Sequence, residues 1–163
     1  MPELVNLTSE LIKELISCKK QIIGEPSPKD KSNGQHKQTD FLLESTDKKH
    51  KFLVFVREHL SLLEFFSIGL VYMPDDASSI ILLRYNGNHG EHYNKLTNQK
   101  ISGFHIHTIS VEAISHGLKD ENQAVVTKKY SSASQAFVSF CKNINIQNFT
   151  QYFPEKLQGE LFI

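Results

Sequence analysis

Tryptophan is absent from this chain of 163 residues, cysteine occurs only twice, and Lys plus Arg equals Asp plus Glu at 18 each. Each shortage closes off a class of protein. Cys18 and Cys141 are far apart, with no CxxC and no Cys/His spacing for zinc, so neither a disulfide scaffold nor a zinc module is expected; both read as reduced packing residues. Zero net charge removes any molecule-wide field that would draw the protein to DNA or anionic lipid, and a nucleic-acid role would need a local patch. No apolar run approaches the length of a membrane span, and Met1 to Leu11 carries Glu3 and Glu10 with no basic start. A cytoplasmic protein without a membrane partner is expected.

What is present is ordinary for a globular chain: 39% hydrophobic residues, 22% charged residues and eleven Phe. The length suits one domain over 1–163. From Leu7, apolar positions at Leu11, Ile12, Leu15, Ile16, Ile22 and Ile23 recur at helical spacing, with Thr8 or Ser9 as N-cap, which predicts an N-terminal helix over 8–22. Gly24 is read as its stop, and the polar stretch 25–39 with Pro26, Pro28 and Gly34 as a loop.

Five runs of strand composition follow, Asp40–Ser45, Lys51–Arg57, Leu62–Tyr72, Ser79–Asn86 and Gly103–Ile109. Joined mostly by short breaks, they predict an antiparallel meander of about five strands over 40–109. The region 110–145 reads as helical. Ser110 can cap a short helix over Val111–His116, and Ser132 with Gln135 forms a capping box ahead of Ala136, Phe137, Phe140 and Cys141, a helix ending near Asn143. The predicted class is α+β, with an N-terminal helix and two C-terminal helices packed on the sheet.

Five of the eight histidines, His89, His92, His105, His107 and His116, fall within 28 residues. In Gly103–Ile109 the period of two places Phe104 and Ile106 on one face and His105 with His107 on the other. Arg84 and Asn86 share a face in the preceding strand. Pairing of these two strands would set Arg84 and Asn86 beside His105 and His107, with His107 an exposed polar position. The intervening loop Gly87–Ser102 supplies His89, Glu91, His92, Tyr93 and Asn94.

Three readings of this cluster stay open. In a metal-independent ribonuclease or phosphodiesterase, one neutral imidazole removes a proton from a 2′-hydroxyl or water and a second, protonated, donates to the leaving oxygen, while Arg84 holds the phosphate. His105 and His107 are then the acid/base pair, His89 and His92 position substrate or set a tautomer, and Asn86 orients an imidazole; Tyr93, Asn94 and Lys128 would touch substrate. No cofactor is called for. In the second reading the four histidines bind a first-row metal, for which a carboxylate is scarce because only Glu91 lies inside the cluster. In the third they are surface or edge-strand residues with structural hydrogen bonds, the reading also given to His36, His50, His59 and His116.

A further group is aromatic. Phe52 and Phe65, in Lys51–Arg57 and Glu64–Phe66, have the type of side chain that stacks on bases, although alternating aromatics in a meander ordinarily form core. Lys128-Lys129-Tyr130 presents two cations for phosphates.

The stretch Leu83-Arg84-Tyr85-Asn86-Gly87-Asn88-His89, followed by His105-Ile106-His107, resembles the signature of small bacterial TumE-like toxins of toxin-antitoxin systems. It looks still more like an uncharacterised bacterial and prophage family with F-S-I-G-L, R-Y-N-G-x-H and H-I-H elements, here Phe66–Leu70, Arg84–His89 and His105–His107, over roughly residues 40–145. The first resemblance implies a toxin-like protein directed at RNA and partnered by an antitoxin, with Arg84, His89, His105 and His107 as its site. This chain departs from that pattern by an extra helix before residue 40 and a longer loop before His105. The second implies a mobile-element protein, which admits a non-catalytic binder that inhibits a host defence complex in the manner of an anti-CRISPR protein. A homodimer through a sheet edge is a further possibility for either.

Overall fold

In the computed structural model the described residues are 7–31, 35–75, 78–88, 91–94, 99–109, 111–112 and 123–153. The chain opens with α1 (Ser9–Ser17) and continues through β1 (Lys20–Lys31), β2 (His36–Ser45), β3 (Lys51–His59), β4 (Phe66–Tyr72) and β5 (Ile80–Asn86). After these come β6 (Glu91–Asn94), β7 (Gln99–Ser102), β8 (His105–Thr108), β9 (Gln123–Val126), α2 (Ala133–Asn143) and α3 (Phe149–Tyr152). Seven strands form one antiparallel sheet in the order β1-β2-β3-β4-β5-β8-β9, and β6 with β7 forms a separate ribbon.

The fold is therefore α+β as expected, with seven strands in the main sheet where five were predicted. The first added strand replaces the expected loop 25–39. Helix α1 stops at Ser17, and Ile22 and Ile23 belong to β1, where Ile22 pairs with Leu43 and is buried. Gly24, at φ +72°, marks an irregularity in the pairing between Ile23 and Ser27 and does not terminate a helix. Polar residues and two prolines misled the reading because β1 lies at the sheet edge, where proline and polar side chains are tolerated.

The second added strand, β9, is the opposite edge and lies within the stretch 110–145 read as helical. Of the expected helix Val111–His116, Val111 and Glu112 are helical and the remainder is outside the described residues. The expected loop Gly87–Ser102 contains the β6–β7 ribbon. Leu62–Phe65 is a loop ahead of β4 and not part of that strand, and it leaves Leu63 75% exposed.

The helices cover one face of the sheet. The two N-caps predicted from composition form: Thr8 Oγ1 accepts the Leu11 N–H at 3.1 Å, and Ser132 Oγ accepts the Gln135 N–H at 3.2 Å. Gln135 does not complete the reciprocal box with Ser132; its Oε1 accepts from the N–H and the hydroxyl of Ser131. From α2, Ala136, Phe137, Phe140 and Cys141 enter a core shared with Phe41, Phe52, Val54, Ile68, Leu70 and Tyr85. Phe52, one of the two candidate stacking residues, is thus wholly core.

One cation lies inside this core. Lys20 is fully buried, and its Nζ donates to the carbonyls of Ile16, Cys18 and Ile144 at 2.8, 2.9 and 2.8 Å. It satisfies carbonyls at the end of α1 and just after α2, and the Phe52 ring lies 5.0 Å away. Burial pushes its pKa down to about 8, with the neighbouring Cys18 opposing.

Candidate functional site

Arg84, Asn86, His105 and His107 lie on the sheet face opposite the helices, and a bulge in β5 puts Arg84 and Asn86 there. In the β4–β5 pair Leu70 faces Leu83 and Val71 faces Ile81, so Leu82 is an extra residue. Leu82 and Leu83 are both buried, and the alternation resumes with Tyr85 toward the helices and Arg84 and Asn86 away from them.

Two rows then run across that face. Phe55, Gly69, Arg84, His107 and Ala124 are successive partners on β3, β4, β5, β8 and β9. Arg57, Ser67, Asn86, His105 and Val126 form the next row. The pairing expected from sequence is thus observed, with Arg84 opposite His107 and Asn86 opposite His105. Gly69 is required by this arrangement: the Phe55 ring occupies the space a Cβ would fill, next to Arg84.

A directed hydrogen-bond relay links the second row. The Ser67 hydroxyl donates to Asn86 Oδ1 at 2.6 Å, Asn86 Nδ2 lies 3.3 Å from His105 Nε2, and His105 Nδ1 lies 2.7 Å from the Gly103 carbonyl. The Gly103 carbonyl can only accept, so the His105 proton is on Nδ1 and its Nε2 lone pair accepts from the Asn86 amide. The two imidazoles are 4.8 Å apart between centroids, at 63°.

Behind the pair, on the helix side, Tyr130 stacks on Tyr85 at 5.3 Å, and its hydroxyl lies 2.8 Å from the Asn86 carbonyl and 2.9 Å from that of His105. Burial, and then the neighbouring Tyr85, push the Tyr130 hydroxyl well above the ordinary tyrosine range. Gly87 closes the strand beside the site, because a Cβ there would collide with the Glu64 carbonyl and the Phe66 ring.

His105 and His107 are 3% and 2% exposed, which overturns the expectation that His107 is an exposed position. β9 flanks β8 and sets Ala124, itself buried, beside His107, so β8 is an interior strand, and the β6–β7 ribbon contacts β9. Burial raises the pKa of both Cys18 and Cys141.

Arg84, Asn86, His105 and His107 are brought together. His92, Tyr93 and Asn94 are on β6, in a ribbon and not in a loop, with side chains outside the described residues; His89 is outside them altogether. Lys128 is elsewhere, in a groove of about 450 Å³ with Lys129, Gln135 and Lys142 on the α2 side. Among the described residues, which include neither His89 nor the His92 side chain, no group of three or more His, Cys, Asp or Glu could hold a metal ion. Two contributors escaped the sequence reading. Ser67 carried a signal, its place in F-S-I-G-L, whereas Tyr130 acts on the site through backbone carbonyls, for which no spacing rule exists.

Among the described residues no helix is long and apolar enough to cross a membrane. No curated protein and no solved structure matches the chain. A family profile covers most of its length, including α1, the meander and α2: the chain belongs to the family of unknown function DUF6978, matched over residues 7–146.

Proposed function

We propose that the polar face is a metal-independent phosphodiesterase site directed at RNA, in a toxin-like protein of the kind that an adjacent antitoxin restrains. The observation that carries this reading is the fixed His105 tautomer in the row beside the Arg84–His107 pair. With Nδ1–H held by Gly103, the basic nitrogen of His105 is Nε2, and a substrate 2′-hydroxyl would replace the Asn86 amide as its partner. The 2′-oxygen attacks phosphorus as its proton passes to His105 Nε2. The bond from phosphorus to the 5′-oxygen breaks as protonated His107 gives that oxygen a proton, leaving a 2′,3′-cyclic phosphate and a 5′-hydroxyl. Arg84, beside His107, offers a planar fork to the phosphoryl oxygens as charge builds on them. Incubating purified protein with total RNA and identifying the new ends tests this: cyclic phosphates and 5′-hydroxyls from wild type, and none from Arg84→Ala, are the expected result.

A second reading is favoured by one observation, the burial of both imidazoles. In it the cluster is a structural polar network and the protein acts by binding, as an inhibitor of a host defence complex. Wild-type protein that leaves RNA intact while co-purifying with a defence complex would select this reading.

A further inference from the structure

A cavity on the same face as the His/Arg cluster is not used by the chemistry above. It measures about 200 Å³ and is lined by residues that include His36, Arg57, Glu58, His59, Phe65 and Ser67. His36 pairs with His59, and Arg57 pairs with Ser67 in the row that continues to Asn86 and His105, so the cavity adjoins the site on one sheet face.

Its walls are built of rings. His36 and His59 meet edge to face at 4.7 Å and 81°, and His59 meets Phe65 at 6.0 Å and 77°. His59 is held in place by the loop that follows it, its Nδ1 accepting the N–H groups of Ser61 and Leu62 at 3.1 and 2.9 Å. Phe65 remains 39% exposed, unlike the core phenylalanines. Arg57 lies 4.6 Å over the Phe55 ring, with its Nε donating to Gln38 Oε1 at 3.2 Å. The Ser67 hydroxyl proton is committed to Asn86, so toward a ligand its oxygen can only accept.

Ring faces, a guanidinium and a hydroxyl acceptor together fit a flat heterocycle with donors on its edge, which describes a nucleobase better than an aliphatic side chain. From Ser67 to His105 is two strand spacings, about 10 Å, which places the cavity within a nucleotide or two of the reacting groups.

We propose that this cavity binds a base of single-stranded RNA, with Phe65 as the stacking surface, and that it positions the adjoining phosphate toward Arg84 and the histidines. The proposal rests on the RNA reading above and names the part of the substrate that this face holds. It is tested with a fluorescent 2′-O-methyl oligoribonucleotide, which lacks the attacking hydroxyl, and with the same oligonucleotide carrying an abasic site. By anisotropy, Phe65→Ala should weaken binding roughly tenfold, the loss of one stacked base, and Phe65→Tyr should retain it. The best-placed abasic substitution should weaken wild type by the same factor and leave Phe65→Ala unaffected. Equal binding by wild type and Phe65→Ala, or indifference of wild type to abasic substitution at every position, overturns the proposal. Phe65-dependent binding without RNA cleavage would sink only the phosphodiesterase reading; cleavage with an unchanged KM in Phe65→Ala would sink only the base cavity.

Discussion

Asn86 and His105 face each other across the β5–β8 pair, with the Asn86 amide nitrogen 3.3 Å from His105 Nε2. Because Ser67 donates to the other end of that amide, Asn86 can present only its NH₂ to the imidazole. The neutral Nδ1–H form of His105 follows from a side chain two strands away.

The first prediction concerns that tautomer. Nitrogen-15 spectra of ring-labelled protein should report His105 protonated at Nδ1 near neutral pH. Asn86→Asp should convert the ring to imidazolium, because a carboxylate in place of the amide favours the charged form. Identical His105 spectra in wild type and Asn86→Asp would contradict the relay.

The second concerns the hydroxyl behind the pair. Tyr130→Phe leaves the Asn86 and His105 carbonyls without that donor and should cost about 1–3 kcal/mol at neutral pH by urea unfolding. The folded-state pKa of Tyr130 lies above its unfolded value of about 10, so its stabilisation is complete below that pH and is lost as pH rises through the folded value. The wild-type melting temperature should therefore fall above about pH 10, and less steeply in Tyr130→Phe.

The third concerns Lys20. Lys20→Met leaves three carbonyls without their donor and should destabilise by about 2–4 kcal/mol. The folded-state pKa of about 8 is below the unfolded value of about 10.4, so across that window the unfolded chain holds more protons and the Lys20 contribution grows with pH. The stability gap between wild type and Lys20→Met should widen from pH 8 to 10; a gap that narrows would contradict the assignment.

A fourth follows from close approach. Gly87→Ala forces a Cβ into the Glu64 carbonyl and the Phe66 ring and should destabilise by about 1–3 kcal/mol or more, whereas alanine at Gly103, with nothing nearby, pays only for its φ of +90°. Denaturation of the two variants side by side checks the contrast.

Much of this was legible in the order of side chains along β5 and β8. Alternation placed Arg84 with Asn86 and His105 with His107, and the apolar partners Tyr85 and Ile106 pinned the register. The N-caps at Thr8 and Ser132 were legible because capping is local. The edge strands β1 and β9 were not, since an edge needs little apolar sequence and owes its existence to a neighbour. The neighbour of His107 was hidden for the same reason: Ala124 lies on β9, a strand that composition does not announce.

The most direct test of the central claim compares cells expressing wild type with cells expressing His107→Gln, a substitution that keeps much of the buried volume, with total RNA from both examined for cleavage. The proposed site predicts growth arrest and RNA fragments ending in 2′,3′-cyclic phosphate from wild type alone, with the variant folded and harmless. Intact RNA in both, or equal cleavage in both, would contradict it.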